Sequence, residues 1–375
     1  MFTGSGDENL GWSVSPAGDV NGDNYTDFIV GAYLADTVGT NNGQAYIYYG
    51  GNPPNSGADV TFSGADGEQL GYSVSTAGDV NGDGYSDVIV SLPKYDPVAT
   101  RRGRVYVYFA NPMDTTPDVT FTGTNTDDQI GYRVSTAGDV NGDGYSDVII
   151  GTPYVGTNNG TAYILFGGSS MDNVPDVLIT GEVGDYLGIS VAAAGDVNDD
   201  GFGDVIVGAS HRNASAGAAY IFFGGTAMDN APDVTIEGAS SGDSLGVSVA
   251  CAGDVNNDSY DDVIVGAYFA DGGGSARGEA YLYYGGSPMD NTADKTFQGV
   301  SNDDHLGFCV SSAGDVNNDN YDDLLIGADD APATGTNGEA YIFFGAADMD
   351  TVADWTVTGE ATQDHFGEAL SGRKY

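Results

Sequence analysis

The sequence predicts an all-β protein, a β-propeller of four-stranded antiparallel blades. Three observations predict it: a ten-residue stretch recurs six times, four strand-like runs surround each copy, and no run has sustained helical spacing. The copies are GDVNGDNYTD (18–27), GDVNGDGYSD (78–87 and 138–147), GDVNDDGFGD (195–204), GDVNNDSYDD (253–262) and GDVNNDNYDD (314–323).

The second unit shows the order of its elements. Strand A follows Leu70-Gly71 and leads into the repeated stretch, strand B begins at Asp87, strand C at Arg104 and strand D at Asp118. β-branched and aromatic residues bounded by Gly, Asn, Asp and Pro are typical of strands separated by turns. A sandwich or an open solenoid could use such strands, but a regular four-strand unit favours the propeller, whose blades bury one another's faces.

The ends of the chain bear on the number of blades. Six units are complete, and residues 354–370 add a sixth D strand and a seventh A strand. At the other end, residues 2–4 (FTG) match residues 121–123 (FTG) of a D strand. We therefore expect one domain over residues 1–375 that is part of a longer protein. Six blades are favoured over seven.

The composition excludes some classes of partner. The chain has 55 Asp and Glu residues against ten Lys and Arg, a formal net charge of −45. Such a surface repels nucleic acid and anionic membranes. No apolar run could span a bilayer, and the first residues lack the basic and apolar segments of a secretory signal. Cys251 lies six residues after Leu245 and Cys309 three residues after Leu306, in the A strands of neighbouring units. Because side chains alternate between the two faces of a strand, the two thiols should point to opposite faces, and no disulfide is expected.

The repeated stretch carries oxygen atoms at alternate positions. In the second copy Asp79, Asn81, Asp83 and Asp87 stand at positions 1, 3, 5 and 9, and Tyr85 stands at position 7. The calcium loop of an EF-hand uses side chains at 1, 3, 5 and 9 and a backbone carbonyl at 7. Position 6 is Gly, Asn or Ser, and the first two tolerate the left-handed backbone of a sharp turn. No glutamate stands at position 12, so the pattern is EF-like rather than that of an EF-hand.

We therefore predict about six Ca²⁺ sites, one in each copy. The alternative is an Asp- and Asn-rich turn whose side chains cap their own backbone, although three crowded carboxylates would repel one another without a cation. Mg²⁺ is disfavoured because it prefers a water-rich octahedral shell. The predicted ligands are Asp19, Asn21, Asp23, Tyr25, Asp27, Asp79, Asn81, Asp83, Tyr85, Asp87, Asp139, Asn141, Asp143, Tyr145, Asp147, Asp196, Asn198, Asp200, Phe202, Asp204, Asp254, Asn256, Asp258, Tyr260, Asp262, Asp315, Asn317, Asp319, Tyr321 and Asp323.

The unit resembles the FG-GAP repeat of the integrin α-chain propeller and its bacterial relatives. "FG" corresponds to Leu10-Gly11, Leu70-Gly71, Ile130-Gly131, Leu187-Gly188, Leu245-Gly246, Leu306-Gly307 and Phe366-Gly367. "GAP" corresponds to residues 31–33, 91–93, 151–153, 208–210, 266–268 and 327–329, none of which reads Gly-Ala-Pro. These departures leave the cation ligands intact. The resemblance implies a calcium-binding propeller, usually of seven blades.

The resemblance also implies a binding face. In that family the A–B loops lie on one face and partners commonly meet the opposite one, formed by the D–A and B–C loops. The B–C segments here are 33–43, 93–103, 153–160, 210–217, 268–278 and 329–338. Lys94, Arg101, Arg102 and Arg104 fall in or beside the second segment and are candidate ligand-binding residues for an acidic partner. Solvated loop charge is the alternative.

The three histidines, His211, His305 and His365, are expected in surface loops. His305 and His365 occupy the same repeat position, directly before Leu306-Gly307 and Phe366-Gly367. Because equivalent positions belong to separate blades, we expect no metal site shared by the two.

These patterns lead us to expect a calcium-stabilised binding or adhesion module outside the cell or on its surface, with a protein or glycan partner. Weak acidic calcium sites suit extracellular conditions. The sequence has no motif that pairs a nucleophile with a base, so no catalytic residue and no enzyme is expected. The alternatives are the propeller of a larger secreted or surface hydrolase, and a structural subunit of a surface layer or filament that self-associates through spare terminal strands.

Overall fold

The computed structural model describes residues 8–37, 39–51, 57–95, 101–271, 275–331, 337–361 and 365–372. The chain is an all-β propeller of six blades, and each blade is a four-stranded antiparallel sheet whose strands follow chain order. This confirms the predicted fold class. Two compact units are present: Met1–Asp139 with Asp143–Thr180, and Val140–Gly142 with Gly181–Tyr375.

The first unit contains blades 1 to 3. Their strands are β1 (Ser13–Gly18), β2 (Asp27–Ala32), β3 (Gln44–Tyr48) and β4 (Val60–Ser63); β5 (Val74–Gly78), β6 (Asp87–Leu92), β7 (Arg104–Tyr108) and β8 (Val119–Thr122); and β9 (Arg133–Gly138), β10 (Asp147–Thr152), β11 (Thr161–Leu165) and β12 (Val177–Thr180). A short helical turn, α1 (Val155–Asn158), lies between β10 and β11.

The second unit contains blades 4 to 6. Their strands are β13 (Ser190–Gly195), β14 (Asp204–Gly208), β15 (Ala218–Phe222) and β16 (Val234–Glu237); β17 (Ser248–Gly253), β18 (Asp262–Ala267), β19 (Glu279–Tyr283) and β20 (Lys295–Gln298); and β21 (Leu306–Gly314), β22 (Asp323–Ala328), β23 (Glu339–Phe343) and β24 (Trp355–Thr358). The turn α2 (Arg212–Ser215) follows β14. No helix among the described residues has the length and apolarity to cross a membrane.

Burial follows the position of a strand in its blade. Strand B of blade 2 (β6) is buried along its whole length, whereas strand D of blade 1 (β4) alternates between buried and exposed residues. Apolar clusters fill the space between neighbouring sheets of one unit. The rings of Phe62 and Tyr108 join blades 1 and 2, with centroids 4.2 Å apart, and those of Phe297 and Phe343 join blades 5 and 6 at 4.5 Å.

A bulge at the end of each A strand positions the loop that follows. In blade 1 the register shifts between Pro16 and Gly18, so that Gly18 lies opposite Asp27. Gly18 has a φ of +78°, a conformation that a residue with a Cβ adopts only under strain. The same glycine–aspartate pair closes the A–B ladder of the other five blades.

The ends of the chain differ from the prediction in one respect. The sixth D strand is β24, but the predicted seventh A strand is wrong: residues 365–372 contain no strand, and Phe366 forms one isolated parallel bridge to Gly338. An A strand is stabilised by its ladder to strand B, and the chain ends before a seventh B strand. The predicted N-terminal D strand (residues 2–4) lies outside the described residues.

The two cysteines lie in neighbouring blades. Cys251 and Cys309 are half-buried and are not joined in a disulfide.

Candidate calcium loops and the opposite loop face

The six repeated stretches form the A–B loops, in the places that the sequence predicts. Each loop begins after the last glycine of strand A, and its position-9 aspartate is the first residue of strand B. Position 6 has a φ between 65° and 90° in every loop, at Asn24, Gly84, Gly144, Gly201, Ser259 and Asn320. The sharp turn predicted at position 6 is therefore present in all six loops.

The aspartates at positions 1 and 5 hold their own loop in shape. In blade 2, Asp79 Oδ1 accepts hydrogen bonds from the backbone N–H groups of Gly82 (2.7 Å) and Asp83 (3.0 Å), and Asp79 Oδ2 accepts one from Gly84 (2.8 Å). Asp83 Oδ1 accepts one from the N–H of Tyr85 (3.0 Å). The self-capping of an Asp-rich turn is thus present. Each carboxylate retains lone pairs that could contact a cation.

The aspartate at position 9 fastens the A–B loop to the start of the C–D connection. Asp87 is fully buried; its Oδ2 accepts a hydrogen bond from the N–H of Val80 (3.0 Å) and its Oδ1 one from the N–H of Ala110 (2.8 Å). Burial and, to a smaller extent, repulsion from Asp83 and Asp79 raise the pKa of Asp87 to about 7 against the lowering effect of these bonds. The equivalent pairs of bonds are made by Asp27, Asp204, Asp262 and Asp323.

The donor set of each loop fits Ca²⁺. It consists of carboxylate, amide and carbonyl oxygens, the ligands of a hard cation, and none of the described ion pairs uses a loop aspartate. Within the described residues, however, the three aspartates of a loop do not place their oxygens within 4.8 Å of one another. Binding at the Ca–O distance of about 2.3–2.6 Å would require exposed side chains such as Asp83 to turn inward.

The predicted B–C segments coincide with the connections between strands B and C, at the opposite end of each blade from the A–B loops. Residues 38, 96–100, 272–274 and 332–336 of these segments lie outside the described part of the chain.

The four basic candidates do not form one exposed patch. Lys94 and Arg101 are exposed, whereas Arg102 and Arg104 are half-buried. The guanidinium of Arg104 lies 3.5 Å from the ring centroid of Tyr95. It also donates hydrogen bonds to Thr122 Oγ1 (3.0 Å) and to the hydroxyl of Tyr106 (3.2 Å). Contacts within blade 2 thus engage Arg104.

A row of aromatic rings crosses the same end of blades 1 to 3. Ring centroids lie 5.0 Å apart for Trp12 and Tyr33, 5.2 Å for Tyr33 and Tyr72, 5.4 Å for Tyr72 and Tyr132, and 5.4 Å for Tyr132 and Tyr154. We call these five half-buried residues the aromatic row. The repeat pattern did not lead us to predict this row. The signal was the aromatic residue directly after "FG" in the first three repeats (Trp12, Tyr72, Tyr132).

The three histidines lie in loops, as the sequence predicts, and two of them approach the same aspartate. His305 Nδ1 lies 3.4 Å from Asp329 Oδ1 and 3.2 Å from Asp330 Oδ2, and His365 Nδ1 lies 3.7 Å from Asp330 Oδ1. These contacts do not test whether the two histidines share a metal ion, so the expectation of no shared metal site stays a prediction. Both approach Asp330, because the residue before "FG" lies beside the start of a B–C connection.

Comparison with known proteins agrees with this repeated architecture. The family model described as "FG-GAP repeat" matches six segments, one in each blade: residues 10–48, 70–108, 131–165, 187–222, 246–283 and 310–343. Together they cover more than half of the chain.

The chain belongs to the FG-GAP repeat family.

Its curated relatives are similar over part of their length. Integrin alpha-5 of Xenopus laevis is 30% identical over 281 residues, which cover 67% of this chain and 26% of that protein. Integrin alpha-V of Gallus gallus is 32% identical over 220 residues, or 55% of this chain and 21% of that protein. This FG-GAP chain therefore spans about a quarter or less of the length of these relatives.

A solved structure shows the same fold at low identity. The crystal structure of BBS1N in complex with ARL6DN, soaked with lead, matches with a TM-score of 0.52 and 11% identity, covering 91% of this chain and 80% of that chain. This likeness concerns the fold alone.

Proposed function

We propose that this FG-GAP chain is a calcium-stabilised, non-catalytic binding module that acts outside the cell or on its surface. The observation that carries the proposal is the A–B loop: six copies present the same all-oxygen donor set at the same end of each blade. A cation at positions 1, 3, 5, 7 and 9 would offset the repulsion among the loop carboxylates and hold strand A to strand B. Similarity to integrin α chains supports an extracellular setting.

The partner-binding surface in this proposal is the opposite end of the blades. The aromatic row lies there, and aromatic side chains supply much of the binding energy at protein interfaces. Lys94 and Arg101 are exposed at the same end and could contact an acidic group on a protein or glycan. The remaining surface is too acidic to attract nucleic acid or anionic lipid.

A binding screen tests this proposal. The wild-type chain would be applied to arrays of extracellular matrix proteins and glycans in Ca²⁺ and in EDTA. We expect a partner that binds in Ca²⁺, and loss of that binding in the double variant Trp12→Ala, Tyr72→Ala. The matched control is Tyr25→Ala, since Tyr25 is an exposed aromatic on an A–B loop. Equal affinity of the double variant and the control would refute the assignment of the face.

Self-association is a second candidate function, favoured by the surface of β24. Val357 of β24 is 47% exposed, whereas Phe297, at the equivalent register position of β20, is fully buried. Trp355 is 62% exposed beside it. A second copy could cover this apolar strand. Sedimentation equilibrium would then show dimers that the double variant Trp355→Ser, Val357→Ser abolishes, and a monomer at high concentration would exclude this function.

A further inference from the structure

A cluster of nitrogen and oxygen donors lies in blade 6, at the end opposite the A–B loops. One imidazole nitrogen of His305 and one carboxylate oxygen each of Asp329 and Asp330 all lie within 4.8 Å of one another. His365 Nδ1 lies 3.7 Å from the second oxygen of Asp330. Two imidazoles and two carboxylates therefore converge from three separate segments of the chain.

The backbone of the repeat directs both histidines to this place. His305 and His365 have φ values of 58° and 49°, and the residue before "FG" has a positive φ in the other repeats as well, at Asn9, Gln69, Gln129, Tyr186 and Ser244. The repeat thus imposes a backbone that costs energy for a residue with a Cβ. Histidine occupies this position in the last two copies alone.

The two acids break the repeat. Asp329 and Asp330 directly follow strand β22, where the other repeats carry Tyr33-Leu34, Pro93-Lys94, Pro153-Tyr154, Ser210-His211 and Tyr268-Phe269. Building a blade therefore does not require acidic residues here. They occur in blade 6, where His305 precedes strand A and His365 follows strand D.

One atom of the cluster points to a missing partner. Asp329 Oδ1 is buried, and its neighbour among the described residues is His305 Nδ1, an ion-pair contact of 3.4 Å that is long for a hydrogen bond. The side chains of Asp329 and His305 are 14% and 17% exposed. An uncompensated buried carboxylate oxygen is costly. Protonation of His305 alone would leave the two carboxylates with one excess negative charge, whereas one divalent cation balances both.

We propose that His305, Asp329 and Asp330 bind a divalent transition-metal ion such as Zn²⁺, with His365 as a fourth ligand. Imidazole with carboxylate is a donor set for Zn²⁺ rather than for Ca²⁺. Bonds of about 2.0–2.2 Å place neighbouring ligand atoms of a tetrahedral shell about 3.3–3.6 Å apart. The separations from His305 to the two acids, 3.4 and 3.2 Å, are close to this spacing.

The surroundings suit a metal site that orders the loops. The rings of Tyr268 and Phe269 contact the imidazole of His305 edge-on, with centroids 5.6 and 5.5 Å away, and fix its orientation. The metal would join the B–C connection of blade 6 to the segments before and after that blade. The proposed metal site is independent of calcium binding by the A–B loops.

Zn²⁺ titration tests the site. Untagged protein would be stripped with EDTA, returned to excess Ca²⁺ to saturate the A–B loops, and titrated with Zn²⁺ by calorimetry. We expect one Zn²⁺ per chain, and a loss of affinity of at least about tenfold in His305→Gln and in Asp329→Asn, as even outer-shell changes produce. The matched control is His211→Gln, because His211 lies at the same end of blade 4 and its Nδ1 approaches a serine hydroxyl instead of an acid.

Each outcome decides the proposal. Unchanged affinity in His305→Gln, or no uptake by the wild type, overturns it. If His305→Gln does not fold, X-ray absorption spectroscopy of the Zn²⁺-loaded wild type takes the place of this variant. Scattering from imidazole ligands would support the site. An all-oxygen shell around Zn²⁺ would overturn the proposal. Protein loaded with Co²⁺ in place of Zn²⁺ should absorb visible light with the high intensity that is typical of tetrahedral Co²⁺. Weak or no visible absorption would contradict the site.

Discussion

The backbone N–H of Ser86 donates a 3.0 Å hydrogen bond to the backbone carbonyl of Asp19, and so joins position 8 of the second A–B loop to position 1 of the first. The same bond links Ser146 to Asp79 (3.0 Å) in the first unit, and Asp261 to Asp196 and Asp322 to Asp254 (both 3.2 Å) in the second. Neighbouring loops within a unit are therefore mechanically coupled. A cation bound in one loop would therefore also support the next.

The ring of Tyr85 extends this coupling and leads to a first prediction. Gly22 of the first loop has a φ of +77°, and a Cβ built there would lie 2.5 Å from Tyr85 Cε1. Gly84 has a similar φ of +89° but no atom within 4 Å of such a Cβ. Gly84→Ala should cost about 1–2 kcal/mol of unfolding free energy through backbone strain, and Gly22→Ala about 1–3 kcal/mol more through overlap. Urea denaturation in Ca²⁺ measures both, and equal losses would contradict the loop-to-loop contact.

An Asp→Asn substitution should lower the unfolding free energy by different amounts at position 5 and at position 9 of the same loop. Asp87→Asn places an amide N–H₂ against a backbone N–H, so we expect a loss of about 1–3 kcal/mol already in EDTA, and a further loss in Ca²⁺ because position 9 is a predicted ligand. Asp83 is exposed, and Asp83→Asn should cost less than about 0.5 kcal/mol in EDTA. In Ca²⁺ this variant should lose stabilisation from one site, about 1.4 kcal/mol at a concentration tenfold above Kd. Denaturation in both buffers separates the roles, and a destabilised Asp83→Asn in EDTA would contradict them.

Arg104 should matter for stability rather than for partner binding. Arg104→Ala removes the contact with Tyr95 and the hydrogen bonds to Thr122 and Tyr106, a loss of about 1–2 kcal/mol. The exposed Arg101 is the control, and Arg101→Ala should change the unfolding free energy by less than about 0.5 kcal/mol. Thermal denaturation of the two variants compares them. Equal stability would show that the contacts of Arg104 contribute nothing.

Repetition made the strands and the A–B loops predictable, because six aligned copies reveal ligand spacing and turn positions that one copy leaves ambiguous. Repetition did not reveal that the aspartate at position 9 joins the A–B loop to the C–D connection by hydrogen bonds. Asp87 accepts its second hydrogen bond from Ala110, 23 residues further on, at a connection that carries no distinctive motif. The prediction of a seventh A strand was wrong for a related reason. The A-strand pattern is present, but the given sequence has no B strand that could pair with it.

The histidine cluster was harder to predict, because it depends on where connections meet in space. Repeat alignment shows that His305 and His365 are equivalent, and it assigns them to separate blades. It does not show that the start of the B–C connection lies between them. Asp330 occupies that place and contacts both. The departure from "GAP" at Asp329 was a usable signal, since a repeat-breaking acid needs an explanation other than blade packing.

Calcium dependence of stability is the most direct test of the central claim that the A–B loops bind Ca²⁺. The melting temperature of the wild-type chain would be measured in excess EDTA, in millimolar Ca²⁺ and in the same concentration of Mg²⁺. Because a ligand that binds only the folded state stabilises it, we predict a markedly higher melting temperature in Ca²⁺ and a smaller rise in Mg²⁺. A melting temperature that is the same in EDTA and in Ca²⁺ would contradict the account.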